Sequence, residues 1–85
     1  MHIEYLSKFA RGYRKLPEPV KQAAKEKEQI FRQNPFDPRL KTHKLHGELD
    51  GFWSINVTYS YRVIFEFAEA DVIRFYSIGN HDIYD

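Results

Sequence analysis

Hydrophobic positions change period along the chain. Leu6, Phe9, Tyr13 and Leu16 recur at helical spacing, with Lys8, Arg11, Arg14 and Lys15 mostly off that stripe. Ser7 is placed to cap this helix, because its hydroxyl accepts from a first-turn N–H. Gly12 costs the helix up to about 1 kcal/mol relative to alanine, or else admits the close approach of a neighbour. Leu16-Pro17-Glu18-Pro19 ends the first helix and begins a second, since proline is tolerated in a first turn. Val20, Ala23, Ala24, Lys27, Ile30 and Phe31 mark the inner face of that helix, with Lys27 at its edge. Asn34-Pro35 stops it. The short connection predicts an antiparallel helical hairpin.

Beyond Gly51 the period falls to two. Trp53, Ile55 and Val57 alternate with Ser54 and Asn56, the pattern of a half-buried strand. Residues 61–67 and 72–78 read as two further strands, separated by turns at 58–60 and 68–71. His2 to Tyr5 is a short first strand. Gly79-Asn80 ends the last one and leaves a tail from His81 to Asp85. Residues 35–51 read as irregular. The order is β-α-α-β-β-β, an α+β class in which the helical hairpin packs on one face of a mainly antiparallel twisted sheet. Phe9, Leu16, Val20, Ile30, Phe31, Val63 and Phe65 are the expected core.

With 85 residues the chain is a single domain, 1–85, with room for one core. Its 42% hydrophobic and 29% charged content fits a folded globular protein and argues against disorder. The absence of cysteine excludes disulfides, thiol catalysis and cysteine-ligated metal sites. No apolar run approaches the roughly 18 residues of a membrane span. Residues 1–5 lack the apolar core of a signal peptide, so the expected location is cytoplasmic.

The net charge of +1 hides an asymmetry. Residues 1–47 carry 11 Lys/Arg against 5 Asp/Glu, and residues 48–85 carry 2 against 7. A basic half fits a polyanionic partner such as nucleic acid, or equally the solvation of two helices. The cations thicken around two histidines in Arg39-Leu40-Lys41-Thr42-His43-Lys44-Leu45-His46. A metal site at His43, His46 and His81 or Asp82 is disfavoured by those cations, and no metal or other cofactor is expected. Serine-hydrolase, phosphate-loop and dinucleotide motifs are absent.

RNA cleavage fits the residue types better. It needs a base for the 2′-hydroxyl, cations for the phosphorane and an acid for the departing 5′-oxygen. Histidine suits either proton-transfer role, because the unperturbed imidazole titrates near about 6.5. Arginine matches two phosphate oxygens with its fork. Each residue also has a plainer reading. His46 before Gly47 is a turn residue, Trp53 is a core residue, and Arg62 is a solvent-facing strand residue.

Five segments together carry a family resemblance: Asn34-Pro35-Phe36-Asp37-Pro38-Arg39-Leu40-Lys41, His43-Lys44-Leu45-x-Gly47, Gly51-Phe52-Trp53-Ser54, Tyr61-Arg62-Val63-Ile64-Phe65 and Ile78-Gly79-x-His81-Asp82. In order and spacing they resemble the RelE/ParE superfamily of bacterial toxins, closest to its RelE/YoeB/YafQ branch. The resemblance implies the toxin of a type II toxin–antitoxin module. Such a toxin is a ribosome-dependent, metal-independent endoribonuclease that cuts mRNA by 2′-hydroxyl attack and is held in check by a cognate antitoxin. It further implies that His43 is the base, His81 the acid, and Arg62 and His46 the groups on the phosphate. Tyr84 corresponds to the branch's C-terminal aromatic, and Arg39, Lys41 and Lys44 would bind RNA backbone. The alternatives are a ParE-like DNA gyrase inhibitor and a catalytically degenerate, antitoxin-binding partner.

Overall fold

The computed structural model describes residues 1–80. The elements are β1 (His2–Tyr5), α1 (Ser7–Arg14), α2 (Glu18–Gln33), β2 (His43–Lys44), β3 (Trp53–Asn56), β4 (Tyr61–Glu69) and β5 (Val72–Asn80). They form one sheet in the order β1-β5-β4-β3-β2. β1 runs parallel to β5, and every other pairing is antiparallel. The expected β-α-α-β-β-β order is present, with one addition: the edge strand β2, inside the segment read as irregular.

Local chemistry explains the boundaries. Ser7 does not cap α1; it is the first helical residue, and Leu6 holds the cap position without a side-chain bond. The reason is that the Leu6 N–H donates to the Phe75 carbonyl at 3.1 Å, carrying the β1–β5 ladder one residue further before the helix begins. The α1–α2 link is short because Lys15 and Leu16 fold back onto the Gly12 and Tyr13 carbonyls. α2 stops at Asn34, whose extended φ of −158° is what a following proline demands. The hairpin between β4 and β5 turns at Asp71, which accepts a bond from His2 N–H at 2.8 Å and pairs with the N-terminal ammonium at 3.2 Å. Those contacts pin β1 to the hairpin tip.

The core lies between the helices and one sheet face. Phe31, Phe65 and Phe75 are fully buried, with the Phe31 ring edge-on to the other two at 5.0 and 5.4 Å. Phe9, Leu16 and Val63 are buried as expected, whereas Val20 and Ile30 are only half-buried. α1 sits tightly on β5. A β-carbon at Gly12 would lie 2.6 Å from the Ile78 carbonyl oxygen, so glycine here is a packing requirement. α1 and α2 leave an apolar groove of about 360 Å³ between them, walled by Phe9, Tyr13 and Ala24 above Ile55, Val57 and Val63.

Residues 35–51 are anchored by Leu40, which is fully buried in a 3-10 turn at Pro38–Leu40. A second 3-10 turn follows at Gly47–Leu49. No helix among the described residues is long and apolar enough to cross a membrane.

Candidate active site

Register fixes which residues share the sheet face turned away from the helices. Ile55, Val63 and Ile78 stand side by side across β3, β4 and β5, and all three belong to the core. Strand alternation therefore sends their neighbours to the other face. One row there is His43, Ser54, Ile64 and Ser77; the next is Asn56, Arg62 and Gly79. His43 and Arg62 are thus brought to one face by register alone.

The loop before β2 sets the His43 ring. Asp37 caps its 3-10 turn by accepting from the Arg39 N–H at 2.9 Å, and it grips the Arg39 guanidinium with both oxygens at 2.9 and 3.0 Å. That grip holds the Asp37 carboxyl down at about 2. The Thr42 hydroxyl donates to the Pro35 carbonyl and closes the loop. Between them Lys41 takes a left-handed conformation, φ 51°, which costs a non-glycine residue roughly 1–2 kcal/mol. The Lys41 carbonyl then lies 2.9 Å from Nδ1 of His43. A carbonyl only accepts, so Nδ1 carries the proton, and Nε2 of the neutral ring presents its lone pair.

His43 and Arg62 line a common cleft of about 360 Å³ with Lys41, Asn56 and Tyr59. Two full cations and an imidazole face that space, and among the described residues no carboxylate lines it. The site thus combines a nitrogen base of defined tautomer with positive charge suited to a phosphate.

The sequence profile of the family described as "RelE-like toxin of type II toxin-antitoxin system HigB" matches residues 11–81. The chain belongs to this family. No curated protein sequence matches it significantly. Among solved structures, YafQ from Escherichia coli strain BL21(DE3) superimposes with a TM-score of 0.80 at 20% identity, covering 96% of this chain and 94% of that one. The YoeB/ParE toxin from Agrobacterium tumefaciens gives a TM-score of 0.81 at 15% identity, covering 95% and 99%. The YoeB–YefM complex from Staphylococcus aureus gives 0.76 at 16%, covering 95% and 97%. The described fold is the one these toxins share.

The structure sorts the residues singled out in the toxin's sequence. His43, Arg62 and Lys41 come together in the cleft. Lys44 alternates to the opposite side of β2, with its ammonium 5.6 Å from the centre of the Trp53 ring. Arg39 is engaged by Asp37 within its own loop. His46 is exposed at the start of the second 3-10 turn and is not among the cleft-lining residues. His81 and Tyr84 fall outside the described residues.

Sequence reading missed Asn56 and Tyr59. The signal for Asn56 was there: it alternates with core residues and precedes a tight turn, so it had to face a residue near the start of β4. Tyr59 sits in that turn, where periodicity carries no information.

Proposed function

We propose that this toxin is a ribosome-dependent, metal-independent mRNA endonuclease. The observation that carries the reading is the shared cleft of His43 and Arg62, with Nε2 of His43 available to accept a proton. Nε2 takes the proton of a 2′-hydroxyl, and the 2′-oxygen attacks the adjacent phosphorus. Arg62 and Lys41 stabilise the charge that builds on the equatorial phosphoryl oxygens. The P–O5′ bond breaks, and an acid gives the leaving oxygen its proton. The products are a 2′,3′-cyclic phosphate and a free 5′-hydroxyl.

His81 is assigned the acid. It follows directly on Asn80, the residue paired with Tyr61 beside Arg62. Tyr84 is assigned an accessory role. His46, outside the cleft lining, is assigned to longer-range phosphate contact, with Lys41 in the nearer position. The two cations in the cleft disfavour a divalent ion, and none is assigned. A cognate antitoxin is the expected protein partner, as in the solved DinJ–YafQ toxin–antitoxin complex from Escherichia coli.

Expression in a bacterial host with primer extension on a reporter mRNA tests the reading. Cuts inside translated codons, lost with Arg62→Ala, support it. Toxicity with intact mRNA and stalled DNA gyrase would replace it with the gyrase-inhibitor alternative.

A further inference from the structure

The cleft holds two side chains that the cleavage chemistry does not use. Tyr59 is 91% exposed, so its ring contributes almost no burial to the fold. Yet its backbone is firmly placed. The Val57 N–H donates to the Tyr61 carbonyl at 2.8 Å, and the Thr58 hydroxyl oxygen accepts from the Ser60 and Tyr61 N–H groups, each at 3.3 Å. This pinned turn presents an aromatic ring at the mouth of a cleft whose other walls are Lys41, His43, Asn56 and Arg62. Asn56 stands cross-strand from Arg62 and offers both an amide donor and a carbonyl acceptor.

The geometry points to Tyr59 and Asn56 as a base-recognition pair: the Tyr59 ring stacks on one unpaired RNA base next to the phosphate held by Arg62, and the Asn56 amide reads that base's edge. Neither is a catalytic residue. A phosphate grip alone is blind to sequence, because every nucleotide carries the same phosphate. An exposed ring beside the grip recognises single-stranded nucleic acid through the base's π-face. An amide with paired donor and acceptor discriminates among bases, as it does when it engages adenine. This inference deepens the nuclease reading and rests on it for the identity of the ligand as RNA.

The test is a cycle between protein and RNA. Binding of a short single-stranded RNA is measured for the wild type and for Tyr59→Ala, with the intact oligonucleotide and with a set in which each position in turn is abasic. At one position, removing the base weakens wild-type binding on the order of 10- to 100-fold. Tyr59→Ala weakens binding of the intact RNA by a similar factor, and the two losses do not add. Tyr59→Phe recovers most of the affinity, because it keeps the ring, and Asn56→Ala flattens the preference among bases at that position. The inference is overturned if wild type binds no RNA, if no abasic position couples to Tyr59→Ala, or if Tyr59→Phe is as weak as Tyr59→Ala. The measurement needs no cleavage. Failure of the base pocket is thereby distinguished from failure of the nuclease reading, which shows as intact mRNA on ribosomes.

Discussion

Asn56 and Arg62 face each other across the β3–β4 ladder, on the sheet face that also carries His43. The face is set by register, so the guanidinium is delivered to the cleft by a rigid strand. Arg62→Ala is expected to lower single-turnover cleavage of ribosome-bound mRNA by about 10²–10³, the usual cost of removing one group that stabilises transition-state charge. Arg62→Lys restores only part of it, because a point charge lacks the two-pronged fit to phosphate oxygens. Equal rates for Arg62→Lys and wild type would show that charge alone suffices.

Gly12 bears on stability. A methyl group there meets the Ile78 carbonyl oxygen at 2.6 Å, and backbone in a central strand cannot move aside cheaply. Gly12→Ala is expected to destabilise the fold by about 1–3 kcal/mol of overpacking, which outweighs the gain of up to about 1 kcal/mol in helix propensity. Denaturant unfolding checks the sign. A more stable variant would mean that α1 shifts freely on β5.

The contrast between legible and illegible parts is physical. The two periods, 3.6 and 2, are read from residues that bury a face, and they located both helices and strands β3, β4 and β5. Phe31, Val63 and Phe65 followed from them and are buried. Leu40 did not, because a three-residue turn has no period, although its side chain is fully buried. β2 is two residues long, so alternation could not say that His43 faces the cleft and Lys44 faces Trp53. Asn56 was legible from its alternation with Ile55 and Val57, but Tyr59 lies in the turn itself, where neither strand's period reaches.

That facing difference separates the two lysines. Lys41 lines the cleft and Lys44 lies over Trp53. Lys41→Ala is expected to weaken ribosome binding and to reduce the slope of log affinity against log salt by about one. Lys44→Ala changes that slope less. Measured slopes in the reverse order would place the RNA path on the helix side of β2.

The Asp37–Arg39 grip makes a pH prediction. The Asp37 carboxyl is held at about 2, mainly by its bonds from the Arg39 side chain and backbone N–H. A depressed folded value means that this contribution to stability is present above the ordinary carboxylate range and is lost as pH falls toward 2. Arg39→Ala should return the Asp37 titration, followed by carboxyl NMR, toward its usual 3.8. An unchanged midpoint in that variant would assign the depression to the backbone bond alone.

The central claim is that His43 accepts the 2′-hydroxyl proton in a cleft where Arg62 holds the phosphate. Single-turnover cleavage of mRNA on purified ribosomes, comparing wild type with His43→Ala, tests it most directly. The account predicts cuts within the A-site codon that leave a 2′,3′-cyclic phosphate. It further predicts a loss of about 10²–10⁴ in rate for His43→Ala, with thermal unfolding intact. Cleavage by His43→Ala at the wild-type rate, or no cleavage by the wild type, would contradict it.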